Sequence, residues 1–226
     1  LEEFNGLSDN LKLPKGTASV TTSFLSLDGS TNITESTPTL GSVTLSPTSL
    51  ASFVQVSHKM LLQSGASVEQ YLRSLMGRAI GNQLDYAILD GSGSSNEPTG
   101  VLNASGINAV TYTTAPTWAD ILGTVEALEA DSISYRNCVW IINPAQISDL
   151  GSIEKATNTA AFLMDFGSDR NGAYATMAGF PVYVSEHVTA GKYIFGAFEH
   201  SAIGFFSPVE IAVDQAYDFQ KANVGI

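Results

Sequence analysis

A single cysteine, Cys138, stands in the 226 residues, so no intrachain disulfide can brace the fold. Basic residues are scarce as well. Ten Lys and Arg face 22 Asp and Glu, the formal net charge is −12, and the cations are scattered singly. A surface that tracks phosphates needs clustered cations, so a nucleic-acid binder is disfavoured. No apolar run is long enough to cross a bilayer and no charged-then-apolar leader is present, so neither membrane insertion nor secretion is indicated. The chain begins at Leu1 and not at Met, which suits removal of a leader or prosegment and equally a shortened chain. The three histidines, His58, His187 and His200, have no metal-ligand spacing, and no Gly-x-Ser-x-Gly elbow supplies a nucleophile. The turn at Gly91-Ser-Gly-Ser-Ser-Asn96 has neither the Gly-Lys-Ser/Thr of a phosphate loop nor the downstream Glu of a calcium loop. Asp165, Asp169 and Asn171 fit no known cation loop, and a solvated acidic surface accounts for them better. No catalytic, cofactor-binding or metal residue is therefore assigned.

The composition is that of a folded protein of one or two domains, with 44% hydrophobic and 14% charged residues. Its most unusual stretch follows Ser19. From Ser19-Val-Thr-Thr-Ser-Phe-Leu-Ser-Leu27 through Asp28-Gly29 to Ser30-Thr-Asn-Ile-Thr-Glu-Ser-Thr-Pro-Thr-Leu40 and Val43-Thr-Leu45, the chain is rich in Ser and Thr. It has no lysine or arginine between Lys15 and Lys59. Asp-Gly between two β-prone runs predicts a hairpin with a type I′ turn, which needs φ > 0 at both central residues. Ser and Thr favour extended backbone but bury little apolar surface, and a lone two-stranded ribbon is marginal in water. A mobile surface hairpin and an arm laid on another subunit both fit this pattern.

Downstream the period changes. Val68, Leu72, Leu75, Ala79 and Leu84, with Met76, Ile80, Ala87 and Ile88 beside them, predict one long amphipathic helix over about residues 68–89. Ser67 and Gln70 predict a capping box at its start, and Asp90-Gly91 a glycine-closed end. Gly77 and Gly81 inside it call for a close backbone contact or a bend. Arg73 and Arg78 on it read as solvated or paired, not as a phosphate site.

Residues 91–100 read as a flexible polar turn that separates this helix from a second lobe. Thr117 with Asp120 predicts a cap for a helix reaching about Ala130. Cys138-Val-Trp-Ile-Ile142 predicts a buried strand with Cys138 as a small hydrophobe, running into an Asn143-Pro144 helix start. The stretch between Thr157 and Thr176 reads as an ordered loop. Short strands are expected at residues 180–185, 192–198, 202–206 and 209–213. A mixed α+β architecture follows.

The order of these elements resembles the major capsid proteins of tailed bacteriophages that share the Hong Kong 97 fold. The likeness is carried by Glu35-Ser36, Leu40, Val43-Thr-Leu-Ser-Pro47, Leu50-Ala51 and Val54-Gln-Val-Ser57. It continues in Leu89-Asp-Gly-Ser-Gly93 with Pro98-Thr-Gly-Val-Leu-Asn103, and in Asn143-Pro144, Gly179-Phe-Pro-Val182, Gly196-Ala-Phe198, Tyr217-Asp-Phe219 and Asn223. It covers nearly the whole chain. The resemblance implies an N-terminal arm remnant over 1–18, an extended β-hairpin E-loop over 19–47, and a peripheral domain with the long spine helix over 48–99. An axial domain over 100–205 and a strand returning to the peripheral domain over 206–226 complete it.

The implied function is a non-enzymatic shell subunit whose hexamers and pentamers close an icosahedral virion around double-stranded DNA held without sequence-specific binding. It would assemble in the bacterial host cytoplasm without a membrane, with portal, scaffold or protease, and decoration proteins as candidate partners. Phe24, Leu25, Leu27 and Ile33 are the expected apolar contacts of the arm with a neighbouring subunit, and Asp28 and Gly29 the turn that sets its reach. Some relatives crosslink an E-loop lysine to an asparagine of another subunit, and the lysine-free arm predicts a shell without such isopeptide bonds. Two rivals remain: an encapsulin-type nanocompartment, and a soluble enzyme or binding module whose hairpin is a lid, which would need a pocket with convergent polar groups.

Overall fold

The computed structural model describes residues 2–7, 9–16, 22, 24, 37, 39–57, 59, 60, 63, 66–112, 115–130, 137–167, 172–218 and 223–225. Its strands are β1 (Glu2–Asn5), β2 (Leu11–Gly16), β3 (Leu40–Leu45), β4 (Gln55–Ser57), β5 (Val139–Ile142), β6 (Met164–Asp165), β7 (Ala175–Met177), β8 (Phe180–Val184), β9 (Tyr193–Gly196), β10 (Ala202–Phe205), β11 (Asp214–Asp218) and β12 (Asn223–Gly225). Its helices are α1 (Ala66–Asp90), α2 (Trp118–Ala130) and α3 (Ile147–Ser152). The chain divides into two compact units: Leu1–Glu2, Thr48–Ser201 and Glu210–Ile226 form one, and Glu3–Pro47 with Ala202–Val209 the other.

The first unit is organised by a five-stranded sheet in the order β6-β7-β8-β5-β9. β5 runs parallel to β8, with Trp140 opposite Val182, and antiparallel to β9, with Ile141 opposite Ile194. Because side chains alternate along a strand, β5 serves two cores. Trp140 and Ile142 join Ile121 of α2, Leu150 of α3, and Leu163, Met164, Met177 and Val182 in the larger one. Ile141 packs instead on a smaller cluster of Leu89, Val188 and Ile194. Each fully buried aliphatic side chain here removes enough apolar surface from water to contribute about 1.5–3 kcal/mol. The crossover from β5 begins as predicted: Asn143 Oδ1 accepts from Ala145 N at 2.9 Å, Gln146 Oε1 accepts from Asn143 N at 3.3 Å, and Pro144 occupies the first turn. Cys138 is buried, and desolvation raises its thiol pKa, with the negative charge of Glu199 adding to the effect.

Several elements differ from expectation. The spine helix α1 has 25 residues and is about 37 Å long at about 1.5 Å per residue. Ser67 lies inside it and not at its cap, because the chain is already helical at Lys59, Met60 and Gln63. The helix does end at Asp90, yet Gly91 is absent from the glycines of positive φ. Glycine is needed there for space, since a Cβ would sit 2.3 Å from the Pro98 carbonyl oxygen and 2.4 Å from that of Ala87. Gly77 and Gly81 have nothing within 4 Å of a built Cβ, so no close contact among the described residues accounts for them.

The stretch read as a loop at residues 157–176 supplies β6 and the start of β7, and its Leu163 and Met164 are core residues. Two-residue strands carry too little pattern to be read locally; the sheet edge recruits them. Residues 209–213, expected as a strand, have no regular structure, and the strand begins at Asp214 instead. β11 and β12 pair antiparallel, and β12 also pairs with β4, giving a three-stranded sheet.

In the second unit β2 and β3 form an antiparallel ribbon from Leu11 opposite Leu45 to Gly16 opposite Leu40. Its first strand therefore precedes the 19–47 span expected for the hairpin. β1 pairs with β10, and Leu7 N donates to the Phe205 carbonyl at 3.3 Å. Gly204 fits under this layer, where a Cβ would lie 3.0 Å from Leu7 Cδ1 and 3.4 Å from Leu45 Cδ1.

Candidate assembly surfaces

The stretch read as a flexible linker, residues 91–100, is a tightly closed turn that anchors the end of the spine helix. Gly100 N donates to the Gly91 carbonyl at 2.8 Å and Gly93 N to the Pro98 carbonyl at 3.3 Å. Glu97 Oε2 accepts from Ser92 N at 3.1 Å and from Ser92 Oγ at 2.5 Å. Gly93 sits at φ +67°, which a glycine adopts without strain. Asn103 Nδ2 then donates to the carbonyls of Asp90 at 3.1 Å and Gly91 at 3.0 Å. The Asp90 carbonyl is one of those that a helix end leaves without an intrahelical partner. Thr189 Oγ1 donates to the Asp90 carboxylate from the loop before β9, and Asn143 Nδ2 holds that loop through the Val188 carbonyl at 2.6 Å. Spine helix and sheet are thus joined by apolar packing through Leu89 and by this hydrogen-bonded latch.

Of the residues predicted to reach a neighbour, only Phe24 is among the described residues. Phe24 is fully exposed, at 102%. Leu25, Leu27, Asp28, Gly29 and Ile33 lie outside the described residues, as does His58. What the structure adds is a set of exposed apolar side chains that the sequence reading missed: Leu40, Val43, Leu50, Phe53, Met60 and Tyr71. Large apolar residues scattered singly on a surface need no explanation, but here exposed ones recur along the chain from Leu40 to Tyr71. The sequence carries no signal for this exposure, since Leu50, Phe53 and Val54 fall at i, i+3 and i+4, the spacing of a buried helical face. The ribbon strands β2 and β3 carry Lys12 and Lys15 and no acidic residue.

The spine helix exposes both arginines. Arg73 pairs with Glu69 at 2.6 Å one turn away, an exposed pair that stabilises the helix by about 0.3–0.5 kcal/mol. A cleft of about 530 Å³ is lined by Tyr112, Pro116, Gln146, Asp149, Ile153 and Tyr193 among others. Its polar groups hold its own walls together: the Tyr112 hydroxyl donates to the Gly191 carbonyl, and Gln146 caps Asn143. Tyr193 is driven far above the ordinary phenol pKa by burial and then by its hydrogen bond with Tyr112. His187 stacks edge-on to Tyr86 with ring centroids 6.3 Å apart and lies 3.9 Å from the adjacent Glu186. Among the described residues no group of His, Cys, Asp and Glu could hold a metal ion, and no helix is long and apolar enough to cross a membrane.

Comparison with known proteins bears on this arrangement. The Phage capsid family matches residues 2–226. The chain is similar to the major capsid protein of Halomonas phage phiHAP-1, 23% identical over 212 residues that make up 94% of this chain and 34% of the relative. It therefore spans about a third of the length of that curated relative. Among solved structures it is similar to the capsid of a native GTA particle computed with C5 symmetry, with TM-score 0.73, 18% identity, and coverage of 99% of this chain and 80% of that one. It is also similar to a chain from Mycobacterium phage Bobi, with TM-score 0.64, 16% identity, and coverage of 98% and 78%. A chain from Microbacterium phage Oxtober96 gives TM-score 0.67, 15% identity, and coverage of 99% and 79%. The fold is that of phage capsid proteins, the Hong Kong 97-type fold that the sequence resemblance implied.

Proposed function

Because the chain belongs to the Phage capsid family, we propose that it serves as a major capsid protein, associating with copies of itself as hexamers and pentamers in an icosahedral shell around double-stranded DNA. The observation that carries this reading is the family match over residues 2–226, set beside a stretch of apolar side chains left exposed among the described residues. In this reading the spine helix with β4, β11 and β12 belongs to a peripheral domain, the five-stranded sheet to an axial domain, and the ribbon to the base of an intersubunit arm.

Phe24, Leu25, Leu27 and Ile33 are its proposed contacts, and Asp28-Gly29 its tip. A structural role, not catalysis, is the role this family supports. An acidic subunit suits the content, since a lumen that held phosphates tightly would oppose packing and release of a genome. Portal, scaffold or protease, and decoration proteins remain proposed partners, and virion and host cytoplasm the proposed locations. A shell for a genome is favoured over an encapsulin-type compartment by the phage capsids among the relatives.

Size-exclusion chromatography and electron microscopy of the purified chain provide the test. Capsomers or closed particles are expected; a monomer or small oligomer under all assembly conditions overturns the reading. DNA in particles isolated from infected or induced cells separates a virion from an enzyme-filled compartment. Gly29→Val is expected to reduce particle yield while leaving the melting of the unassembled chain unchanged, because the type I′ turn expected from Asp28-Gly29 needs φ > 0, which a β-branched residue resists. Denaturing gels of mature particles should show no covalent ladder.

A further inference from the structure

We propose that the cleft beside α3 is a binding site for an alkylammonium, a primary ammonium group carried on an aliphatic chain; this goes beyond the shell reading and does not depend on it. All of the described residues that line the cleft belong to the first compact unit, and its volume of about 530 Å³ is that of a small-molecule site. Tyr112 and Tyr193 stand together in its lining, their ring centroids 5.5 Å apart and their planes inclined at 40°. Pro116, Ala145, Ile153 and Ala190 supply apolar surface, and Asp149 of α3 brings a carboxylate.

The polarity of the cleft follows from where its protons go. The Tyr112 hydroxyl donates to the Gly191 carbonyl, so in the hydrogen bond between the two tyrosines Tyr193 is the donor. Ser152 Oγ donates to the Asp149 carbonyl at 3.0 Å. The walls thus consume these hydroxyl protons, and what they leave open is a set of acceptors: the lone pairs of Tyr193 Oη and the Asp149 carboxylate. That carboxylate makes no hydrogen bond and no ion pair among the described residues. Its charge reaches the Tyr193 hydroxyl, whose pKa is raised by burial first, then by the bond with Tyr112, and further by Asp149.

Acceptors beside aromatic rings favour a cation that carries N–H donors. The carboxylate takes a charge-assisted hydrogen bond, and an aromatic face attracts the positive charge. A phosphate or carboxylate ligand is repelled by Asp149 and finds no hydroxyl proton to accept. The apolar residues suit a methylene stem, which long cationic side chains commonly lay against such surface. The same chemistry is already present next door, where Lys155, two residues beyond Ile153, holds its ammonium 4.9 Å from the centroid of the Trp118 ring. The ammonium that the cleft takes has two possible sources, a free alkylamine or a lysine side chain of another polypeptide.

The test titrates pentylamine into the full-length unassembled chain by calorimetry, with pentanol as the neutral control. Saturable binding of one pentylammonium per chain is expected, with none of pentanol. Because 22 acidic residues attract any cation weakly, a single substitution isolates the cleft: Asp149→Asn, at an exposed position, should weaken binding about fivefold with an unchanged urea midpoint. Tyr193→Phe, which keeps the ring and removes the acceptor, gives a second reading of the same site and should weaken it about twofold. Absence of saturable pentylammonium binding overturns the proposal, as does equal binding of pentanol or an affinity that neither substitution changes. N-acetyl-lysine methylamide then separates the sources. Affinity equal to that of pentylamine upholds the site and assigns it to a lysine side chain, and binding of pentylamine alone upholds it and assigns it to a free amine.

Discussion

Two stretches of this chain use apolar side chains in opposite ways. All buried apolar residues except Val56 and Met76 fall between Ala87 and Ile194, where the five-stranded sheet, α2, α3 and the end of the spine helix enclose them. Between Leu40 and Leu75, by contrast, the large apolar residues Leu40, Val43, Leu50, Phe53, Met60, Tyr71 and Leu75 are all exposed. Similar residue types thus have two destinations. One stretch satisfies its hydrophobic surface within the chain, and the other leaves it exposed among the described residues. Gly77 and Gly81 fit the second pattern, since each sits in open space and destabilises the isolated helix by about 1 kcal/mol relative to alanine.

Substitutions can break this contrast, and the largest effects are expected at the latch and in the core. Gly100→Ala puts a Cβ 2.3 Å from Gly91 N and 2.7 Å from Asp90 N, backbone atoms with no room to shift. A loss of about 3 kcal/mol is expected in urea denaturation; wild-type stability would show that the turn does not hold the helix to the sheet. Leu150→Ala, at a wholly buried position, should cost about 2–5 kcal/mol in the same assay, whereas Phe53→Ala should stay within about 0.5 kcal/mol and lower particle yield instead. Equal costs at the two positions would erase the distinction between the regions.

Gly77→Ala sharpens the contrast from the other side. It should stabilise the unassembled chain by about 1 kcal/mol, read as a raised urea midpoint. A destabilised chain would mean that the glycine serves the chain itself and not a neighbour.

The smallest effect is expected at Asp120. Its carboxyl is held below the ordinary carboxylate pKa by the Thr117 backbone N–H at 2.8 Å and then by the Thr117 hydroxyl at 2.7 Å. A folded pKa below the unfolded value contributes stability that is present above about pH 4, the ordinary carboxylate value, and is lost as pH falls through the depressed folded value. The stability gap between wild type and Asp120→Asn should therefore shrink below about pH 4. A gap constant with pH would rule out the ionised cap as its source.

Much of the fold was legible because its signals are local. The spine helix shows a sustained 3.6-residue period, α2 announces itself with Thr117 and Asp120, and the Asn143-Pro144 start follows a strand of uninterrupted apolar residues. The misreadings share a different cause. Residues 91–100 look flexible because Gly and Ser dominate them, and only the approach of Pro98, Asn103 and Thr189 makes them rigid. β6 is recruited by β7 and not by its own two residues. Residues 209–213 have strand-forming side chains but no partner strand among the described residues. The arm contacts foreseen at Leu25, Leu27 and Ile33 lie outside the described residues.

Composition, charge and hydrophobic period by themselves determined that this is a disulfide-free, acidic α+β chain with a long spine helix and a buried strand at residues 139–142, because each of those properties is written in adjacent residues. Only tertiary structure decided that Ile141 would turn to the Leu89 cluster while Trp140 and Ile142 turned to α2 and α3. It alone decided that a glycine-rich turn would become a latch, and which apolar residues would remain uncovered. Those outcomes depend on groups distant along the chain meeting within a few ångströms, and no local pattern encodes that meeting.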